Sequence, residues 1–471
     1  MPTPFIDEIF DFTQPDGSVI TVKGTGNQYR AQFQTLQGQP VAWDSTGFLV
    51  VAPAPGAANL AAPNTLPPAP DSVIETIQSR WQVRREALNE IKAMQSGADI
   101  AAAPPARQTI GAIVGLTLLV NFPDVPHSIS QQEVDQFCNQ PGYTGFGNNG
   151  SVRDYFHDVS NGLLTYTNVV APYFTASKKR DYYTDPNQPY GNRAQKLIRE
   201  ALNHLIASGF NLAPLSADGG SFIYALNLFY AGPRVNGWGQ GLWPHQSRLS
   251  KAIKLADGRT FADYQITNMD DRLTLGTFCH ENGHMVCDFP DLYRYAGTGS
   301  GTGYYCLMCY GGSGGGGTNP AQVSAYLKYE AGWGTATPMR AGSTISLPAS
   351  GNQFAIFNRS AQEYFIIENR QPSGRDSTLP SNGLAIWYID ERASNTDPAL
   401  GYECELLQAD GRGDLQVGAN IGDQTDFFSS PLHTLFESGS NPSSNWRGGL
   451  ASGLKIGQIS ASGPVMKFNV I

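Results

Sequence analysis

Short apolar-polar segments open the chain. Residues 18–22, 29–36 and 48–52 read as strands joined by Asn, Gly and Asp-Ser-Thr-Gly turn signals, which predicts a small antiparallel sheet. The pattern lapses over residues 53–70, where Ala and Pro dominate and a linker is expected. A helical period then begins at Asp71. Ser72 and Glu75 have capping-box spacing, and Val73, Ile77, Trp81, Leu88 and Ile91 fall near one face. Residues 96–107 form a second small-residue linker.

From Ile110 strands and helices alternate. Residues 110–122 read as an apolar strand, 130–138 and 152–159 as helices, and 163–173 as a strand. Residues 192–208 give the clearest helix, with Leu197, Ala201 and Leu205 on one stripe and Gly209 as its stop signal. A buried strand at 222–230 leads into a Gly-rich stretch ending at His245, and helices are expected at 273–286 and 321–331. Beyond Gly332-Trp333-Gly334 the pattern turns to strands separated by turns, at 344–347, 354–358, 364–369, 383–390, 404–408 and 465–470. That is an all-β, sandwich-like ending.

The chemistry concentrates in one of these helices. His280 and His284 stand four residues apart with Glu281 directly after the first, so a helix stacks both imidazoles on one face, one turn apart. Zinc accepts neutral imidazole nitrogen, and a catalytic site takes three protein ligands and leaves a position for water. A carboxylate beside such a water can take its proton and later pass it to a leaving amine, which is the chemistry of peptide-bond hydrolysis. The bare His-Glu-x-x-His pattern yields false positives, so its surroundings must decide. Asp291 follows in Phe-Pro-Asp-Leu-Tyr, just past the expected helix end, where a carboxylate can complete a metal's ligand set. Met308 follows in Leu-Met-Cys-Tyr-Gly-Gly, where a tight turn would form a floor beneath the site.

HENGH followed by FPDLY, with LMCYGG, resembles the immune-inhibitor-A type family of secreted zinc endopeptidases. The likeness extends to FTQPDGSVITVKGTGNQY at 12–29, LVNFPD at 119–124, LWPH at 242–245 and ELLQADGRGDL at 405–415. The resemblance implies His280 and His284 as zinc ligands, Glu281 as general base and Asp291 as third ligand. It also implies an α/β zincin (metzincin-like) catalytic domain over 107–338, behind a small α+β propeptide-like domain at 1–106 and before a C-terminal β domain at 339–471. The expected activity is zinc-dependent endopeptidase action on protein or peptide substrates, from a latent precursor cut near residues 103–107. A non-catalytic binding or surface protein that retains the fold is the alternative.

The chain departs from the family at one point. From the second histidine on, the pattern HExxHxxGxPD becomes HMVCDFPD, with Cys287 at the glycine position and one extra residue before Pro290. Asp288 therefore competes for the role of third ligand, with Glu330 more distant. Tyr310, two residues after Met308, stands where several metzincins hold a tyrosine that donates to an oxyanion; simple packing is the other reading. His245 reads as a structural hydrogen-bonder, and His127, His157, His204 and His433 lack any partner pattern.

The remaining composition narrows the picture. Four of six cysteines, Cys279, Cys287, Cys306 and Cys309, cluster around the candidate site. Cys306 and Cys309 have CxxC spacing, which suits a second zinc site, but a disulfide from Cys287 to Cys306 or Cys309 is the expectation, and such bridges favour export. No cysteine precedes Cys138, which excludes cysteine-switch latency and leaves steric blocking or another leader side chain. Asp410, Asp414, Asp423 and Asp426 lie among Gly and Asn in a pattern that suits a structural Ca²⁺ and equally suits ordinary turns. Net charge is −9 with no basic run, which argues against nucleic acid as a partner. No segment has the ~18 apolar residues of a membrane helix. Secretion is expected from the resemblance, although residues 1–13 carry acidic side chains and no apolar signal core.

Overall fold

A computed structural model describes residues 3–27, 31–52, 108–185, 187–188, 191–219, 221–234, 241–295, 298–397 and 399–471. The helix expected from Asp71, both linkers and the cleavage stretch at 103–107 lie outside these residues. The chain divides into two compact units, one of Met1–Arg80, Ile113–Val152 and Tyr166–Val286, the other of Trp81–Ala112, Arg153–Thr165 and Cys287–Ile471.

In the first unit the leader is an antiparallel sheet of β1 (Phe5–Thr13), β2 (Val19–Gly26), β3 (Ala31–Thr35), β4 (Pro40–Trp43) and β5 (Leu49–Val51), paired in sequence order. Its apolar face gathers Phe5, Phe10, Val22, Phe33, Val41 and Leu49 around Trp243. Phe10 stacks on Trp243 with ring centroids 6.0 Å apart and meets Phe33 edge-on at 5.5 Å. Beside these rings Arg234 Nη1 donates to Glu8 Oε2 at 2.8 Å. The leader is thus joined to the Trp243 stretch by aromatic burial reinforced by an ion pair.

The same unit holds a mixed sheet ordered β7-β6-β8-β10-β9, from β6 (Gly111–Asn121), β7 (Leu164–Thr175), β8 (Leu226–Ala231), β9 (His245–Lys254) and β10 (Thr260–Met269). β6, β8 and β10 run parallel, and β9 returns antiparallel to β10. Helices α1 (Gln131–Asn139), α3 (Asn192–Ala207) and α4 (Leu275–Cys287) of this unit, and α2 (Val152–Val159), most of which belongs to the second unit, lie at or near the positions predicted for them. Every residue of β8 is buried, as a strand covered on both faces requires. Leu226, Leu228 and Tyr230 pack in one core with Leu197, Ala201 and Leu205 of α3. Phe229, which alternation sends to the opposite face, stacks on Phe278 of α4 at 5.0 Å.

In the second unit β11 (Thr335–Pro338), β13 (Gln353–Asn358), β14 (Glu363–Arg370), β15 (Gly383–Asp390) and β16 (Cys404–Leu406) form one sheet; β12 (Thr344–Pro348), β18 (Val465–Val470) and β17 (Ile456–Gly457) form another. Phe365 and Ile367 share a core with Leu347, Met466 and Phe468 of the smaller sheet. On the other face of β14, Glu368 accepts from Ala325 N at 3.0 Å at the start of α5 (Ala325–Glu330) and pairs with Lys328 at 3.3 Å. Arg370 grips Asp376 through two 2.6 Å bonds. No described helix is long and apolar enough to cross a membrane.

Candidate metal centre

Helix α4 begins where a side chain from far along the chain receives it. Leu275 N donates to Asn148 Oδ1 at 3.2 Å, and Asn148 Nδ2 donates to the Leu273 carbonyl at 2.8 Å, so one amide satisfies an orphan N–H of the first turn. The apolar face of α4 presents Phe278 to Phe229 and to Phe137 of α1. Asn282, inside the His-Glu-Asn-Gly-His motif, accepts from Tyr166 of β7 at 2.6 Å and donates to the Phe278 carbonyl at 2.8 Å. Tyr166 belongs to a buried polar group with Asn168 and Asn227, which fixes the helix to the sheet by hydrogen bonds as well as by rings. One turn apart, His280 and His284 stand with ring centroids 4.9 Å apart at 81°.

The helix ends at Cys287, and Asp288 takes φ 55, a left-handed conformation that Asp tolerates and that turns the chain out of the helix. Asp291 then offers a carboxylate oxygen to the two imidazoles: ligand atoms of His280, His284 and Asp291 all lie within 4.8 Å of one another, and all three residues are buried. Asp288 and Glu330, the competing third ligands, are not in this group. The ligand loop is tightly anchored, with Leu292 N on the Met308 carbonyl at 2.8 Å and the Leu292 carbonyl accepting from Thr302 N at 3.0 Å. Gly301 passes so close that a Cβ there would stand 1.9 Å from the Leu292 carbonyl oxygen, and its φ of +60 disfavours any side chain.

Two neutral imidazoles and a carboxylate are the donor chemistry of a zinc site with one coordination position to spare. Their mutual separations, none above 4.8 Å, are compatible with the ~3.4 Å between ligands of a tetrahedral ion at ~2.1 Å. Glu281 is fully buried, and its Oε2 has no hydrogen-bond partner, an atom that a water held at such a site would satisfy. Its Oε1 accepts from Thr3 Oγ1 at 3.1 Å. The residues therefore fit a zinc-class ion.

Other candidates are placed differently. Tyr310 is buried at the start of a 3₁₀ segment, Tyr310–Gly317, and Met308 is fully buried beside it. His245 is buried with Nδ1 2.6 Å from the Trp243 carbonyl and Nε2 3.1 Å from Tyr264 Oη, and burial pushes its pKa down to about 3. His127 stacks on Tyr173 at 3.7 Å, and His204 tilts against Phe174 at 5.0 Å.

The disulfide expectation is corrected. All six cysteines are buried, and none is joined in a disulfide. Cys309 Sγ donates to the Ser300 carbonyl at 3.1 Å, and burial raises Cys306 to about 11 and Cys309 to about 12. Cys306 and Cys309 act as small packing groups with protonated thiols. The compartment argument that rested on bridges goes with them. At the other acidic cluster, carboxylates of Asp410, Asp423 and Asp426 approach within 4.8 Å. Arg412 supplies the positive charge there, 2.8 Å from Asp410 and 3.6 Å from Asp423.

Three contributing residues had escaped the sequence reading. Thr3 and Asn148 carry no local signal, because each meets its partner across more than a hundred residues. Tyr295 had a weak one: it lies four residues after Asp291 and donates to Asp291 Oδ2 at 2.6 Å.

Residues 243–333 match the family model described as immune inhibitor A peptidase M6, catalytic domain. This agrees with the family suspected from HENGH, FPDLY and LMCYGG, and the matched stretch contains His280, Glu281, His284, Asp291, Met308 and Tyr310. A metallopeptidase is what that match supports. None of the curated proteins matches the chain significantly.

Proposed function

We propose that this chain is a zinc-dependent endopeptidase acting on protein substrates and made as a latent precursor. The convergence of His280, His284 and Asp291 beside Glu281, within the stretch that matches a peptidase catalytic domain, carries the reading. Zinc, when bound, would polarise the scissile carbonyl and acidify a water toward neutrality. His280 and His284 would hold the ion from one face of α4, and Asp291 would close the ligand set. Glu281 takes the proton of the attacking water and delivers it to the leaving amine. Tyr310 is the proposed hydroxyl donor to the developing oxyanion, a role worth about 3 kcal/mol at the barrier.

Latency is supported by the leader's contact with the general base. Thr3, donating to Glu281 Oε1, stands beside the base where a substrate would have to enter, and the sheet that follows Thr3 is held by Trp243 and Arg234. Cutting within residues 103–107 would free the leader to leave.

The test is zinc content and casein hydrolysis of the purified chain beside Glu281→Ala, each before and after limited proteolysis. One zinc per chain, with hydrolysis that rises on cleavage and is lost in the variant, is the expected result. Metal without hydrolysis after cleavage would sink the peptidase reading, and absence of metal would sink the ligand assignment.

A further inference from the structure

The loop leaving α4 aims one hydroxyl at the third ligand. Tyr295 Oη donates to Asp291 Oδ2 at 2.6 Å, with Tyr295 9% and Asp291 2% exposed. A carboxylate that binds a cation through one oxygen keeps a rotational freedom about its last bond, and a donor on the other oxygen removes it. The donor here is itself held. Arg294, next in sequence, lies 3.8 Å over the Tyr402 ring and donates to the Asp397 carbonyl at 2.9 Å. Tyr293, on its other side, meets the Tyr295 ring at 5.4 Å. Leu292 is fastened to Met308 as described, so the backbone between ligand and tyrosine is fixed.

We infer that Tyr295 is a positioning residue for the metal site: its hydroxyl fixes the Asp291 carboxylate in the orientation that presents an oxygen to the ion shared with His280 and His284. The inference rests on the zinc reading above. The role runs through Asp291, whose Oδ2 accepts from the hydroxyl. Its loss therefore shows first in how tightly and in what geometry the metal is held.

The experiment compares the full chain, Tyr295→Phe and Asp291→Asn. Apparent zinc affinity is measured by competition with a chromophoric chelator, and the visible spectrum is recorded after loading with Co²⁺. Thermal unfolding of each metal-free protein serves as the control for folding. Tyr295→Phe is expected to bind one zinc about 10–100-fold more weakly, as loss of an outer-sphere hydrogen bond does elsewhere. Its Co²⁺ spectrum should be altered while its metal-free unfolding still shows a cooperative transition. Zinc affinity within twofold of the parent and an unchanged Co²⁺ spectrum would overturn the inference and leave the zinc site intact. A parent chain that binds no zinc would overturn both, and an Asp291→Asn variant that binds as tightly as the parent would remove Asp291 from the ligand set and Tyr295 with it.

Discussion

Thr3 Oγ1 lies 3.1 Å from Glu281 Oε1, a contact that spans 278 positions of sequence. A single hydroxyl could not hold a leader in place, since one such bond contributes only about 1 kcal/mol net. The hold comes from Phe5 and Phe10 against Trp243 and from the Glu8–Arg234 pair. Phe10→Ala removes the ring that stacks on Trp243 and costs on the order of 3 kcal/mol of packing. Uncleaved protein carrying this change should hydrolyse casein one to two orders of magnitude faster than the parent, because each 1.4 kcal/mol is tenfold in the open population. Unchanged activity in the intact variant would detach the leader from latency.

The parts of this arrangement that could be read from sequence are those set by local chemistry. His280, Glu281 and His284 are fixed by helical spacing, and α2 and β15 fall at the residues their patterns predict. The β9–β10 hairpin escaped because His245–Lys254 is a largely polar edge strand, and only Asp257-Gly258 marks its turn. β1 escaped for a related reason: acidic residues interrupt Phe5–Thr13, whose partner face is built from Trp243 far along the chain. The cysteines misled because proximity of thiols in sequence near a site looks like a bridge, whereas small apolar side chains suit a closely packed helix and turn equally well. Thr3 and Asn148 could not be found at all, since no periodicity records a contact made only after folding.

Asn148 makes a separable prediction. It both caps Leu275 N and holds the Leu273 carbonyl, so Asn148→Ala exposes two backbone groups at the entry of the metal helix. The expected cost is about 1–2 kcal/mol of unfolding free energy, read by urea denaturation of the metal-free protein. Zinc release to a chelator should quicken in the same variant, because the frayed turn precedes His280 by little more than one turn. Full retention of stability would mean that water replaces the cap without loss.

The lack of disulfides gives a prediction without mutation. Six buried cysteines should react with an aromatic disulfide reagent only after denaturation, and then all six should titrate without prior reduction. Cys306 and Cys309, raised to about 11 and about 12 by burial, hold too little thiolate at pH 8 to react quickly in the native chain. Addition of a reductant should leave the unfolding midpoint unchanged. A midpoint that falls on reduction, or two to four thiols missing from the denatured titration, would restore the bridges that the structure lacks.

His245 links stability to acidity with a definite sign. Burial holds its pKa at about 3 in the folded chain, against 6.5 for the ordinary side chain, so the unfolded state takes up a proton first as pH falls. Its contribution is fully present above about pH 6.5 and declines as pH falls toward 3, by on the order of 4 kcal/mol across the window. Because His245 bridges the Trp243 carbonyl and Tyr264 Oη, the loss would be felt at the very stretch that seats the leader. Denaturation midpoints of the parent and His245→Gln, followed from pH 7.5 to 3.5, should therefore converge on the acid side. The variant's slope should be shallower by the equivalent of about one proton, close to 1.4 kcal/mol per pH unit. Parallel slopes would mean that His245 is protonated in the folded chain, and the buried neutral imidazole would have to be abandoned.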